Sequence, residues 1–360
     1  MTAGNRLRVL HCAKGLGLGG TEKVMQLLAA HLDKNRFDVA VHSPQDGPRA
    51  PQLRALGLPT YVGMGLDRAL AAFKPDIVHL HRAGWPEPEL LRPFRDFAPR
   101  LVVETNVFGR YDPSPSSKII DCTLFVSDFC AERFTRLTRI PADWPRYGVL
   151  HNPVDTDRFE ALLPDGPQSG GMAPGPVLGR ISRADPGKWS SLALDILPLL
   201  RDVPGLKYRV IGGIPQAEDF VREQGLEQMV EFLPPVDTDG ELARFYGSLR
   251  VLAHANDTGE SFGLVIAEAM ACGLPVVTHP CPGERDNAQL ELVRDGVTGF
   301  VAVTPETYAQ AVRRLLDDPA LARRMGQAGR ERIRSISRAQ DVAARLGGMY
   351  LDLLARKEAR

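Results

Sequence analysis

Two glutamates stand on either side of a predicted helix start, in the stretch DTGESFGLVIAEAMACGLPVVT at residues 257–278. Glu260 lies in the loop before this helix, and Glu268 lies one turn inside it. Ser261 can cap the helix, and Gly273 can take the left-handed conformation after its last turn. The amides of the first helical turn can bind a phosphate, and the carboxylates can accept hydrogen bonds from sugar hydroxyls. The stretch predicts a nucleotide-sugar site, whereas either glutamate alone is more simply a solvated charge.

Three cations accompany another predicted strand, at residues 177–181, in the sequence GRISRADPGKW. They are Arg180, Arg183 and Lys188. Positive side chains near a strand end can stabilise the negative charge of a departing diphosphate. Solvation explains any one of these cations, but it explains all three beside one strand less easily.

A glycine-rich loop, GLGLGGTE, separates the first predicted strand from the first predicted helix. Gly15, Gly17 and Gly20 match the dinucleotide pattern G-x-G-x-x-G, which also requires an acidic residue at the end of the second strand. That strand ends in His42 and Ser43, so the sequence disfavours a dinucleotide site. A loop whose backbone approaches a phosphate is the plainer interpretation, and a purely structural tight turn is the alternative.

Polar residues also follow two apolar strands in the N-terminal half. In open α/β sheets, ligands bind at the carboxyl ends of the strands. His81 is preferred to His79 as a site residue, because only the later of the two clears the sheet edge. Glu104, Thr105 and Asn106 follow the next apolar strand and are candidates for contact with an acceptor.

Length and composition limit the classes of protein that the chain can represent. The 360 residues favour two globular domains, and 44 Lys and Arg balanced by 44 Asp and Glu argue against a nucleic-acid partner. Five cysteines without a C-x-x-C pair indicate a reducing compartment and argue against a zinc knuckle. No window holds the roughly 18 apolar residues of a membrane span. The sequence predicts a cytoplasmic protein, with peripheral contact of the N-terminal domain at the inner face of the membrane as an open alternative.

The stretch at residues 257–278 closely resembles the donor-binding signature of the family 4 retaining glycosyltransferases (glycosyl transferases group 1), which have the GT-B fold. The turn at 19–22 and the segment at 179–188 extend the resemblance. It implies an α/β protein with two doubly wound Rossmann-like domains whose parallel sheets face each other across a cleft. The implied domains are an N-terminal acceptor domain at 1–155, a linker at 156–176, a C-terminal nucleotide-sugar donor domain at 177–336, and a C-terminal helix at 337–360 that packs back on the N-terminal domain.

The resemblance also assigns roles to residues that match the family motifs. The spacer between Arg180 and Lys188 is longer than the commonest family form, which makes Arg183 an alternative cation. The implied catalytic residues are His81, Arg180, Lys188 and Glu260. The implied donor-binding residues are Gly19, Gly20, Arg180, Arg183, Lys188, Glu260, Ser261, Phe262, Gly263, Leu264 and Glu268. The acceptor candidates are Thr21, Glu104, Thr105 and Asn106.

The activity implied by the resemblance is retaining transfer of a sugar, usually a hexose, from a UDP- or GDP-linked donor. A sugar, a lipid-linked molecule or a small molecule would be the acceptor. No Asp-x-Asp pair accompanies the motifs, so neither a metal ion nor a cofactor is expected. A nucleotide-sugar epimerase or hydrolase on the same fold is the alternative, and an NAD-dependent oxidoreductase or a non-catalytic sugar-nucleotide sensor has less support.

Overall fold

Two compact units make up the chain in the computed structural model, which describes residues 6–163 and 175–359. The first unit contains the chain up to Pro153 together with the segment from Ala339 onward. The second unit is Val154–Arg338. Each is built around one parallel sheet flanked by helices, which confirms the predicted fold class of two doubly wound α/β units. Strands in such sheets are buried on both faces, so the longer ones are nearly continuous apolar runs.

The described strands of the first unit are β1 (Leu7–Ala13), β2 (Phe37–Ser43), β3 (Thr60–Val62), β4 (Ile77–Arg82), β5 (Leu101–Asn106), β6 (Cys122–Phe125) and β7 (Tyr147–Val149). Its described α-helices are α1 (Gly20–His31), α2 (Arg49–Ala55), α3 (Leu66–Phe73), α4 (Pro88–Phe97), α5 (Asp128–Thr138) and α14 (Ala339–Glu358). The sheet order is β3-β2-β1-β4-β5-β6-β7. The order reverses between β1 and β4, and the carboxyl ends of strands at such a switch point form the usual ligand site.

The described strands of the second unit are β8 (Val177–Ile181), β9 (Lys207–Ile211), β10 (Val230–Leu233), β11 (Val251–Ala253), β12 (Val276–Thr278) and β13 (Gly299–Val301). Its described α-helices are α6 (Thr156–Leu162), α7 (Leu192–Asp195), α8 (Pro215–Glu223), α9 (Asp239–Gly247), α10 (Leu264–Ala271), α11 (Gln289–Leu292), α12 (Pro305–Asp317) and α13 (Pro319–Ser337). The sheet order is β10-β9-β8-β11-β12-β13, so the switch point lies between β8 and β11.

Helix α14 ends the chain but belongs to the first unit. The fully buried Tyr350 hydroxyl lies 2.5 Å from Nδ1 of His79 on β4. The indole nitrogen of Trp144 donates to Asp352 at 2.8 Å, and Lys357 pairs with Asp121 at 2.9 Å. These contacts connect the last helix with strands and loops from the first half of the chain.

The segment predicted as a linker, residues 156–176, begins with helix α6 in the second unit. Residues 164–174 of that segment lie outside the described residues. All five cysteines are buried and none forms a disulfide. Among the helices of residues 6–163 and 175–359, none combines the length and the apolar composition that crossing a membrane requires.

Candidate functional site

Helix α10 begins later than the sequence suggested. Its N-cap is Gly263, with φ of 99°, and its first helical residue is Leu264. Ser261 therefore does not cap the helix, which corrects the prediction, and its hydroxyl donates to Asp286 at 2.5 Å instead. Gly273 follows the helix with φ of 81°, so the left-handed conformation predicted for it is confirmed.

The start of α10 offers backbone amides to a ligand. Among the described residues, neither Gly263 nor Leu264 donates its amide to a protein acceptor. Gly259, with φ of 69°, bends the preceding loop so tightly that an added Cβ would lie 1.6 Å from the carbonyl oxygen of Asp286. This close approach fixes the loop at 257–261 against the segment around Asp286. The result is a helix start suited to binding an anion.

Glu260 lies in this loop, and three donors converge on its Oε1 oxygen. Asn256 donates at 2.6 Å, His254 Nε2 lies at 3.3 Å and Lys188 Nζ at 3.4 Å. Burial alone would raise the pKa of Glu260, but the hydrogen bond and charge of His254 and the charge of Lys188 lower it to about 2. The carboxylate is therefore ionised at neutral pH, and its Oε2 oxygen is the atom left to accept a hydrogen bond from a ligand.

The three cations of the β8 segment have different environments. Arg180 is fully buried, donates to the carbonyl oxygens of Ala255 (2.8 Å) and Lys188, and stacks over Trp189 at 4.1 Å. Burial lowers its pKa. Because its guanidinium contacts Ala255 and Lys188, Arg180 fixes the Lys188 loop. The direct diphosphate contact predicted for Arg180 stays a prediction. Lys188, 28% exposed, and Arg183, which is exposed, are the accessible cations.

Glu268 lies on the second turn of α10 and is 5% exposed. The Tyr246 hydroxyl donates to its Oε2 oxygen at 3.2 Å, which fixes the carboxylate against helix α9. The predicted ribose contact of Glu268 stays a prediction. Phe262, the remaining predicted residue of this loop, is buried, and its predicted contact with the donor stays a prediction.

Sequence reasoning missed a group of polar residues that hold Glu260. Asn256 donates its amide to His279 at 3.1 Å, and Gln289 accepts from the amide of Glu260 at 3.2 Å. His254 and Asn256 directly follow β11, which is next to β8 at the switch point. The carboxyl-end rule that selected His81 would have found them.

In the first unit, Gly19 is the N-cap of α1, and Gly20 and Thr21 are its first two residues. A Cβ added at Gly19 would lie 2.4 Å from an oxygen of the Glu22 carboxylate, which is the mobile end of a flexible side chain. Gly19 has φ of −68°, an ordinary value for any residue. The donor contacts predicted for Gly19 and Gly20, and the acceptor contact predicted for Thr21, stay predictions.

His81 belongs to a buried stack of three histidines on β1 and β4. His11 Nδ1 lies 2.9 Å from His81 Nε2, while His79 bonds to Thr105 at 2.8 Å and to Tyr350. Burial lowers the pKa of His11 to about 3, and burial with the neighbouring histidines lowers the pKa of His79 and His81 as well. The stack is neutral at pH 7, and His81 retains Nδ1, buried and without a partner among the described residues, for contact with a ligand.

The histidine nitrogens are close enough together to suggest a metal site, but the ring geometry favours a hydrogen-bonded stack. The rings lie 4.6–5.2 Å apart, centroid to centroid, and within 29° of parallel. A histidine binds a metal with a lone pair in its ring plane, and nearly parallel planes at this spacing do not direct three lone pairs to one point.

The three acceptor candidates on β5 lie on two faces of the sheet, because side chains alternate along a strand. Thr105 shares the face of His79. Glu104 accepts from Arg82 at 2.5 Å and from Thr123 at 2.8 Å. Both amide atoms of Asn106 bond to the backbone of Arg110. All three side chains are thus used within the unit, and β5 extends through them.

Two family models match the chain, one in each unit. The model of Glycosyl transferases group 1 matches residues 172–332, and the model of Glycosyltransferase Family 4 matches residues 18–158. A crystal structure of a glycosyltransferase from Rickettsia africae, 16% identical, covers 97% of this chain and 99% of its own, with a TM-score of 0.80. At that identity the likeness shows the fold alone.

Two curated relatives are similar over part of the chain. A D-inositol 3-phosphate glycosyltransferase from Streptomyces griseus is 32% identical over 60% of this chain and 52% of its own length. A GDP-mannose-dependent alpha-(1-6)-phosphatidylinositol monomannoside mannosyltransferase from Mycolicibacterium smegmatis is 34% identical over 58% of this chain and 56% of its own. The chain thus spans about half the length of these relatives.

Proposed function

Because the chain belongs to the family 4 glycosyltransferases (glycosyl transferases group 1) with the GT-B fold, we propose that it transfers a sugar from a nucleoside-diphosphate sugar to an acceptor. The observation that carries this proposal is the ionised Glu260, held beside Lys188 and before the open amides of α10. An anion-binding helix start, a cation and a carboxylate acceptor are the groups that a sugar diphosphate needs.

In this proposal, the diphosphate binds the amides of Gly263 and Leu264 together with Lys188. Oε2 of Glu260 accepts hydrogen bonds from hydroxyls of the donor sugar, and Glu268 contacts the ribose. When the bond between the anomeric carbon and the phosphate oxygen breaks, its electron pair goes to the diphosphate, whose added charge these donors stabilise. Each preorganised donor contributes on the order of 3–4 kcal/mol to such a transition state.

The acceptor hydroxyl forms the new bond to the anomeric carbon and passes its proton to an oxygen of the departing diphosphate. We propose that the new bond forms on the face from which the diphosphate leaves, so that the anomeric configuration is retained. A hexose linked to UDP or GDP is the proposed donor. The name of the Mycolicibacterium relative specifies GDP-mannose, which makes GDP-mannose one of the first donors to test.

A thermal-shift screen with UDP-, GDP- and ADP-linked sugars tests donor binding. A donor at about 100 times its Kd adds about 2.7 kcal/mol to stability and should raise Tm by roughly 5 °C. Glu268→Ala should remove most of this shift, whereas Glu223→Ala, at an exposed glutamate of α8, should leave it unchanged. Transfer is then followed as release of the nucleoside diphosphate with an acceptor panel.

Three results would contradict the proposal. They are stabilisation by NAD and by no nucleotide sugar, donor consumption at the same rate with water as with any acceptor, and conversion of the donor to its isomer. The first indicates an oxidoreductase, the second a hydrolase and the third an epimerase. Product with the inverted anomeric configuration, seen by NMR, would contradict retention alone.

A further inference from the structure

The first unit contains a cavity of about 150 Å³ that none of the roles above uses. It lies on the face of the sheet that carries Arg82 and Glu104, and the segment between β5 and β6 lines much of it. It is well below the roughly 300 Å³ of pockets that enclose drug-sized ligands, so it fits a small chemical group and not a nucleoside diphosphate. Its charged lining consists of Arg82, Glu104, Arg110, Asp112, Lys118 and Arg146.

The two carboxylates in the lining share one cationic partner, Arg82. Arg82 donates to Glu104 at 2.5 Å and to Asp112 at 3.2 Å, and the side chains of all three are almost fully buried. In contrast, the other three cations, Arg110, Lys118 and Arg146, form no ion pair with any described residue. With four cations and two carboxylates, the lining of the cavity has an excess of two positive charges.

Arg110 is fixed in place before any ligand binds. Asn106 accepts from its amide at 3.2 Å and donates to its carbonyl oxygen at 2.8 Å. Its guanidinium lies 5.2 Å from the centre of the Trp85 ring, and its Nε is buried without a partner among the described residues. A buried donor that no protein acceptor satisfies is stabilised when a ligand supplies one.

We propose that this cavity binds a phosphate group of the acceptor, through Arg110, Arg146 and Lys118. Arginine forks match the paired oxygens of a phosphate, and a lysine adds a mobile charge. The assignment of this phosphate to an acceptor rests on the proposed function. The binding of phosphate by the cavity is independent of that function. A phosphorylated sugar or polyol and the head group of a phospholipid offer the same chemistry, and the experiment separates them.

Isothermal titration of the full chain with inorganic phosphate tests the cavity directly. Because phosphate also suits the start of α10, the titration uses the Lys188→Ala chain as background. Arg110→Gln and Arg146→Gln should each weaken phosphate binding about tenfold, as expected for loss of a hydrogen bond to a charged group. Arg95→Gln, at an exposed position on α4, is the matched control and should bind phosphate as the background does. Binding of UDP and GDP to chains with an intact Lys188 should be the same in all three variants.

Two further arms identify the source of the phosphate. Acceptors are compared in pairs, glucose with glucose 6-phosphate and myo-inositol with its 3-phosphate, by their KM in nucleotide release. Co-sedimentation uses vesicles of phosphatidylcholine with and without phosphatidylinositol. A phosphate-dependent KM that Arg110→Gln abolishes supports a soluble acceptor, and vesicle binding that the same variant abolishes supports a lipid head group.

Equal phosphate affinity of the background chain and both cavity variants would overturn the inference. So would loss of phosphate affinity in Arg95→Gln by the same factor, because general surface charge would then explain binding. Failure of the proposed function has a different signature: no nucleotide sugar or nucleoside diphosphate binds to the unmodified chain, while phosphate still binds the cavity.

Discussion

The two units differ in the charge of the polar residues near the carboxyl ends of their sheets. In the second unit, Lys188, His254 and Asn256 surround an ionised Glu260 whose pKa is about 2. In the first unit, the His11, His79 and His81 rings form a stack in which burial lowers the pKa values and keeps the rings neutral. The site around Glu260, the charged cluster, therefore contains an ionised carboxylate and a cation, whereas the buried histidine stack carries no charge.

This difference indicates which of these two sites suits a diphosphate. In the proposed reaction, departure of a nucleoside diphosphate requires fixed positive charge, which Lys188 and the amides of α10 can provide. A neutral histidine stack can accept or donate a hydrogen bond to a sugar hydroxyl without attracting a second anion. The stack therefore suits recognition of neutral groups, and the charged cluster suits the leaving group.

The largest expected effect comes from removing the cation of the charged cluster. Lys188→Ala should lower kcat by about 10²–10³-fold, the loss typical of one preorganised electrostatic donor, with a smaller change in donor KM. Steady-state kinetics with the donor and acceptor found by screening measure both constants. Arg183→Ala removes an exposed cation that lies two residues after β8. Among the described residues, it forms no hydrogen bond or ion pair with Glu260, and its loss should change kcat little. Equal losses of kcat in the two variants would contradict the comparison, because general positive charge, and not the position of Lys188, would then explain the rate.

A second effect separates the units by their response to acid. His11 has a pKa of about 3 in the folded unit against 6.5 ordinarily, so the unfolded chain binds the proton more readily. Its contribution to stability is complete above pH 6.5 and declines as the pH falls from 6.5 toward 3, by about 2 kcal/mol at pH 5. Hydrogen exchange of the β1 and β4 amides, corrected for intrinsic rates, measures this decline. His11→Gln should lack about 2 kcal/mol of the loss between pH 7.5 and pH 5, and an identical loss in both chains would contradict the neutral stack.

The fold was accessible from the sequence because apolar runs, glycines and helix periodicity alternate in the βα order of a doubly wound sheet. Gly273 is an example of such a signal. Its positive φ follows the end of α10, and Pro275 then begins an extended segment. The start of α10 was not accessible. The positive φ of Gly263 adds a bend before the helix. The amino-acid sequence of the loop does not distinguish this bend from capping of the helix by Ser261.

Two predicted site residues have protein partners that the sequence did not indicate. Arg180 lies within β8, as predicted, whereas Glu104 lies within β5 and not after it. Both side chains project from a face of their sheet and contact protein groups there. The spacing between Arg180 and Lys188 does not indicate that the Arg180 guanidinium stacks over the Trp189 ring. Conversely, His254 and Asn256 do follow a strand, and they form the site. The carboxyl-end rule depends on strand boundaries to within one residue, and composition does not fix those boundaries.

The smallest expected effect is the acid response of the charged cluster itself. Glu260 has a lowered pKa of about 2 against 4.5 ordinarily, so its stabilising contribution is complete above pH 4.5 and declines as the pH falls from 4.5 toward 2. At pH 3.5 the loss is about 1.4 kcal/mol. Glu260→Gln keeps the side-chain shape without the titrating charge, so hydrogen exchange of α10 and β11 should lack this increment between pH 6 and pH 3.5. The β1 and β4 amides of the same samples are the internal control, because the Glu260 substitution should leave their acid response unchanged. If the wild-type loss in α10 began near pH 6, the second unit would respond to acid as the first does, and the electrostatic distinction between them would fail.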